Sequence, residues 1–123
     1  MTFTFNPKCA DMLAALRPGQ NTADRPDLVT RIFKMQLDEL KKDLMNKHVL
    51  GKRVAHLHEI EFQKHGLPHA HILLWVEEDS KPRESSDMDQ IISAEIPCPD
   101  TQPVLHSLVK THMMHGPCGV LNL

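Results

Sequence analysis

The residues with the clearest chemical potential are two histidines, His69 and His71, separated by one residue. Alternate side chains of a β-strand point to the same face, so a strand through this segment places two imidazoles side by side. Neutral imidazole is the commonest metal ligand in proteins. The spacing therefore predicts a divalent metal ion held on a rigid strand, with an open side for a substrate.

A third ligand is expected from the strand that precedes the histidines. If the turn has an odd number of residues and Gln63 lies opposite His69, Glu61 lies opposite His71, and both side chains can approach the metal. An even turn would instead place Phe62 opposite His69 and point Gln63 away. The register of the hairpin thus decides which side chains reach the ion.

The His-x-His pair alone is a weak signal, because His56 and His58 have the same spacing and such pairs are more often structural. Three other families with this pattern fit poorly. A histidine-triad hydrolase needs a third alternate histidine, but Leu73 stands there. A binuclear metallohydrolase needs an acidic residue soon after the pair, and a cupin needs a barrel for which this chain is too helical.

The elements that must position the pair follow from hydrophobic periodicity and turn residues. We predict strands at 2–5, 53–63 and 69–76, the last two forming a hairpin. Helices are predicted at 9–16, from a cap at Asp24 or Asp27 to about 46, at about 87–94 with a Ser86/Asp89 capping box, and from 103 to about 114. Residues 77–86 are predicted to be a mobile loop. The expected fold class is α+β, an antiparallel sheet with helices packed on one face, in a single domain over 1–123 that is incomplete at its C-terminus.

Composition limits the class of protein further. Hydrophobic residues make up 41% of the 123 residues, which is enough for a core. The formal net charge of −2 argues against a strongly electrostatic binder of duplex DNA. No apolar run is long enough to span a membrane and no secretory signal opens the chain, so we expect an intracellular protein. Cys9, Cys98 and Cys118 form no C-x-x-C pair, which argues against a disulfide framework; Cys118 could be one ligand of a site completed beyond Leu123.

A wider set of blocks resembles one family. The string Glu61-Phe62-Gln63-Lys64-His65-Gly66-Leu67-Pro68-His69-Ala70-His71-Ile72-Leu73-Leu74-Trp75 resembles the second motif of the HUH endonucleases, specifically the Helitron class of rolling-circle transposases. Four further blocks resemble the same family in the same order: Phe3-Thr4-Phe5-Asn6-Pro7-Lys8, Asp24-Arg25-Pro26-Asp27-Leu28-Val29-x-Arg31-Ile32-Phe33-Lys34, Ile92-x-Ala94-Glu95-Ile96-Pro97 and Met114-His115-Gly116-Pro117-Cys118-Gly119.

The resemblance implies a Rep-type fold and a metal-dependent nickase for single-stranded DNA. It implies that His69 and His71 hold Mg²⁺ or Mn²⁺, with Gln63 as the preferred third ligand and Glu61 as the alternative. The metal would polarise the scissile phosphate, and a tyrosine would attack to leave a 5′-phosphotyrosine link. A downstream helicase domain and action in the nucleus are also implied.

Residues around the histidines have weaker expected roles. Lys64 and His65 are candidates for contact with DNA phosphate, and a solvated turn is the alternative. For Trp75, packing in the core or hairpin is preferred over stacking on bases. The pair His56 and His58 has no counterpart in the family pattern and is expected at the strand surface or in the core.

The sequence departs from the family at several positions. It contains no tyrosine and ends four residues after the His-Gly-Pro-Cys-Gly block. We therefore expect a fragment that lacks the nucleophile and is inactive as a tyrosine nuclease. His65 stands where the family usually has arginine, and Cys9 where tryptophan is frequent. Three hypotheses remain open: the metal-binding part of a Helitron-like transposase, a non-catalytic DNA-binding domain derived from one, and an interaction domain whose histidines bind no metal.

Overall fold

A three-stranded antiparallel sheet carries the histidine pair in the computed structural model, which describes residues 1–114. The elements are β1 (Thr2–Thr4), α1 (Ala10–Ala15), α2 (Pro26–Met45), β2 (Arg53–Phe62), β3 (Pro68–Val76), α3 (Ser85–Ile91) and α4 (Pro103–His112), with short 3₁₀ turns at Thr22–Asp24 and Glu78–Ser80. The strand order is β1-β3-β2, so β3 is central. The predicted α+β class, with an antiparallel sheet and helices, is confirmed.

The described chain divides into two units, Met1–Pro82 and a second unit that begins at Arg83. The first unit contains the sheet, α1 and α2. The second contains α3 and α4. Among residues 1–114, no helix is both long enough and apolar enough to cross a lipid bilayer.

The core of the first unit lies between the helices and one face of the sheet. Alternate residues of β3, Pro68, Ala70 and Ile72, are buried, as the period of two requires. They meet a cluster from α1, α2 and the residue that follows β1, which consists of Phe5, Met12, Val29, Ile32, Phe33, Leu37, Leu44 and Met45. The residues between them on β3 therefore point to the opposite face, which α1 and α2 do not cover.

Helix α2 begins and packs largely as its sequence predicts. Pro26 occupies the first turn, where the missing N–H costs nothing. The predicted aspartate cap is wrong: Arg25 is the N-cap residue and makes no side-chain cap bond. Asp24 instead forms a reciprocal capping box with Asn21 around the preceding 3₁₀ turn. Asp27 binds the Arg25 guanidinium at 2.7 Å, and this bond lowers the pKa of the Asp27 carboxyl to about 2.

The β2–β3 hairpin has an odd turn, as predicted, but its register differs by two residues. Glu61 pairs with His69 and Glu59 with His71, whereas we expected Gln63 and Glu61 in those places. Gln63 lies in the turn, because its N–H bonds to the Leu67 carbonyl at 3.0 Å and closes the loop one step beyond the last strand pair. A shift by two preserves the face, so Glu61 stays on the side of the histidines.

The second unit also differs from the predicted boundaries. Helix α3 begins at Ser85, and its capping box joins Glu84 and Asp87 rather than Ser86 and Asp89. The predicted loop at 77–86 therefore contains a 3₁₀ turn and the start of α3. Helix α4 begins at Pro103 as predicted and ends at His112. Of the sequence block Met114 to Gly119, only Met114 lies within the described residues.

Candidate metal centre

The two predicted histidines lie side by side on the open face of β3. Their ring centroids are 6.4 Å apart and the rings are nearly parallel, with an interplanar angle of 13°. Strand pairing brings Thr2 and Thr4 of β1 and Glu59 and Glu61 of β2 onto the same face. We call this surface the histidine face, defined by Thr2, Thr4, Glu59, Glu61, His69 and His71.

A threonine of β1 contacts the Nδ1 atom of each histidine. The Oγ1 atom of Thr4 lies 2.9 Å from Nδ1 of His69, and the Oγ1 atom of Thr2 lies 3.4 Å from Nδ1 of His71. The first distance is a good hydrogen bond and the second is long. The Thr-x-Thr spacing that matches His-x-His was visible in the sequence, but β1 could not be assigned to β3 from sequence alone.

The Nε2 atoms of the two histidines have different surroundings. Nε2 of His69 is inaccessible to solvent and has no hydrogen-bond partner. Nε2 of His71 lies 3.3 Å from the Glu61 carboxylate, whose side chain is largely exposed. One imidazole thus has a free ligand atom and the other meets a carboxylate, which is the donor set of an N,N,O site.

These groups do not already form a closed ligand cage. Within residues 1–114, no three histidine, cysteine, aspartate or glutamate side chains converge closely enough to hold an ion as they stand. The rings are nearly parallel, and the Glu61 carboxylate lies 3.3 Å from Nε2 of His71, whereas Nε2 of His69 has no hydrogen-bond partner. The unpartnered nitrogen and the adjacent carboxylate nevertheless fit a divalent cation that would draw the three groups together.

Residues 1–74 match the model of a family described as "Helitron helicase-like domain at N-terminus". The chain belongs to this family. No curated protein matches the sequence. The matched segment of this Helitron helicase-like domain includes both histidines and all three strands as far as Leu74, and thus the whole histidine face.

The second His-x-His pair of the Helitron helicase-like domain provides an internal comparison. His56 and His58 stack with centroids 6.3 Å apart, almost the spacing of His69 and His71. They lie on the helix side of the sheet, paired with Leu74 and Ile72. Burial lowers the pKa of His56, and the positive charges of Arg53 and Lys41 lower it further. Cations near this pair oppose metal binding, whereas carboxylates near the other pair favour it.

Apolar and basic residues surround the histidine face. Leu73 and Trp75 follow His71 on the same side of β3, and Leu57 pairs with Leu73; all three are at least half exposed. The exposed fraction of Trp75 is 50%, so the core alternative of its predicted packing role is wrong, and packing on the hairpin stays a prediction. Lys64 and His65 are exposed in the β2–β3 turn. His65 also lines a cleft of about 550 Å³ beside α1, and no residue of the histidine face lines this cleft.

Proposed function

We propose that this domain is the metal-binding part of an HUH-type nuclease that nicks and joins single-stranded DNA in Helitron transposition. His69, His71 and Glu61 would bind Mg²⁺ or Mn²⁺, and the single strand would lie along the histidine face. The observation that carries this proposal is the buried, unpartnered Nε2 of His69 beside the Glu61–His71 contact. Membership of the Helitron helicase-like family supports the same function.

Each residue has a distinct part in this site. A bound divalent ion would polarise the scissile phosphate and offset the charge that develops on it. The two imidazoles bind through neutral nitrogens, and Glu61 brings the negative charge that Mg²⁺ and Mn²⁺ prefer among protein ligands. No tyrosine is present among the 123 residues, so they supply the metal half of the site and not the attacking nucleophile. A helicase domain and action in the nucleus belong to the same proposal.

Metal binding is tested by calorimetry with Mn²⁺. The wild type should release or absorb heat with saturation, and the His69→Ala, His71→Ala double variant should not. The matched control is His56→Ala, His58→Ala, which removes two histidines of equal spacing from the other face and should retain binding. Identical traces for the wild type and the first variant would refute the metal site, provided that both variants show the wild-type circular dichroism spectrum.

The third ligand is tested separately, because the register favours Glu61 over Gln63. Glu61→Gln keeps the size of the side chain and removes its charge, so it should weaken Mn²⁺ binding strongly. Gln63→Ala should change it little, since Gln63 lies in the turn beyond the last strand pair. The reverse ranking would restore Gln63 as the ligand and show that the turn rearranges when metal binds.

DNA binding is tested by fluorescence anisotropy with a labelled single strand. Affinity should rise when Mn²⁺ replaces EDTA, because the ion neutralises the carboxylates of Glu59 and Glu61 on the face that receives phosphates. Lys64→Ala and His65→Ala test the phosphate contacts proposed for the turn. Cleavage with water as the nucleophile should be slow; rapid Mn²⁺-dependent cutting that His71→Ala abolishes would contradict this. Equal DNA affinity with and without metal would favour a DNA-binding domain whose histidines do not take part.

A further inference from the structure

The hydroxyl of Thr4 makes the shorter of the two threonine–histidine contacts on the histidine face, 2.9 Å from Nδ1 of His69. The two residues are directly paired in the β1–β3 ladder, which fixes their separation through the backbone. Met1 strengthens this pairing, because its amino group donates to the Ile72 carbonyl at 2.9 Å and its carbonyl accepts from the Ile72 N–H at 2.8 Å. Thr4 is therefore held against the imidazole from a rigid neighbouring strand.

The environment of the His69 ring selects one of its two neutral tautomers. With the proton on Nε2, the ring would bury an N–H donor that has no partner, and buried donors are rarely left unpaired. With the proton on Nδ1, the ring donates to the Thr4 hydroxyl and leaves a lone pair on Nε2. The second arrangement wastes no donor, and it presents the nitrogen that a metal ion requires.

We infer that Thr4 is the positioning residue of His69: its hydroxyl oxygen accepts a hydrogen bond from Nδ1–H, which fixes the tautomer and keeps the Nε2 lone pair ready for a cation. Histidines that bind a metal commonly donate the N–H of their other ring nitrogen to an oxygen atom in this way. The role in metal binding rests on the proposed function, but the tautomer itself does not depend on any metal.

His71 is held differently, and this makes the assignment specific to Thr4. Its Nδ1 is 3.4 Å from the Thr2 hydroxyl, while its Nε2 faces the Glu61 carboxylate at 3.3 Å. A carboxylate accepts and cannot donate, so in the metal-free protein the proton is favoured on Nε2 of His71. The two neighbouring histidines should therefore show opposite tautomers before any ion binds.

The first test is nitrogen-15 NMR of the histidine rings in the metal-free protein, at a pH where the rings are neutral. His69 should show its proton on Nδ1. Thr4→Val keeps the β-branched shape and removes the hydroxyl, so the ring should shift toward a mixture of tautomers. Thr4→Ser restores the hydroxyl and should restore the signature. A wild-type His69 protonated on Nε2, or one unchanged in Thr4→Val, would overturn the inference.

The second test is Mn²⁺ calorimetry on the same variants. Loss of such an outer partner typically weakens metal affinity about 10- to 100-fold, so Thr4→Val should bind more weakly and Thr4→Ser nearly normally. The control is Thr30→Val on α2, whose hydroxyl bonds to the Pro26 carbonyl and which should leave affinity unchanged. Wild-type affinity in Thr4→Val would overturn the positioning role in binding. If the tautomer signature is present but the wild type binds no metal, the proposed function fails and the assignment of Thr4 to the tautomer stands.

Discussion

Because consecutive residues of β3 lie on opposite faces of the sheet, truncating two of them should lower the free energy of unfolding by very different amounts. Ile72 is 2% exposed and lies in the core, whereas Leu73 is 56% exposed on the histidine face. Ile72→Ala removes three carbons from the core, about 2.4 kcal/mol of transfer free energy at about 0.8 kcal/mol each. The cavity left behind raises the expected loss of unfolding free energy to roughly 3–4 kcal/mol.

Leu73→Ala removes the same number of carbons from a side chain that is already more than half in water. Its cost should be at most about 1 kcal/mol, because only the buried part of the transfer term is lost. Urea unfolding followed by circular dichroism measures both values on one footing, and the two variants differ in sequence position by a single residue. Unchanged slopes against denaturant would show that the variants alter stability rather than the denatured state.

A loss of unfolding free energy in Leu73→Ala equal to or larger than that in Ile72→Ala would contradict the assignment of faces. That ranking would mean that β3 is turned over. The histidines, which share the parity of Leu73, would then lie in the core, and no metal or DNA could reach them. A stability measurement on two aliphatic residues therefore tests where the candidate metal centre lies.

Three further predictions concern single positions. Gly51→Ala should lower the free energy of unfolding more than Gly66→Ala. Both glycines have positive φ, where strain costs about 1–3 kcal/mol, but only at Gly51 would the new Cβ lie 2.9 Å from the Ser80 Cβ. Urea unfolding gives the ranking, and equal losses would contradict the close packing at Gly51. Burial lowers the pKa of His56 in the folded state, so the free energy of unfolding should fall as pH drops through the ordinary histidine pKa, about 6.5. His56→Leu should therefore flatten the decline in the urea midpoint between about pH 8 and about pH 5, around that value. An equally steep decline in the variant would show that His56 is not its cause. Trp75 is the only tryptophan and no tyrosine is present, so protein fluorescence reports on Trp75. If a base stacks on it, oligothymidine with Mn²⁺ should quench this fluorescence, and Trp75→Leu should weaken the binding free energy by about 1–3 kcal/mol. Unquenched fluorescence at saturating DNA would exclude stacking.

Sequence patterns predicted the elements that depend on local signals. The apolar periodicity of α2, Pro26 at its start, and the alternation along β3 each follow from one stretch of chain, and all are present. The face shared by His69 and His71 is a consequence of strand geometry alone. These features could be predicted because neighbouring residues determine them.

The errors fall where competing local choices are nearly equivalent. A hairpin can keep its parity with either Gln63 or Glu61 opposite His69, and the bond from Gln63 to Leu67 decides between them. Two capping boxes of equal spacing overlap at the start of α3, and the one from Glu84 forms. The threonine contacts were missed because they depend on pairing between β1 and β3, which are distant in sequence.

The separation of β1 and β3 along the sequence also sets the order in which the candidate metal centre can assemble. The Glu61–His71 contact spans 10 residues and lies within one hairpin, of a kind that forms in about 1–10 μs. The Thr4–His69 contact spans 65 residues, so its closure costs more chain entropy and must wait for β1 to dock. An isolated 53–76 hairpin would carry both histidines and Glu61 without the strand that orients His69. If the proposed ion binds, we expect its full affinity only in the completed fold, so that a nascent chain would acquire it after the N-terminal strand has joined the sheet.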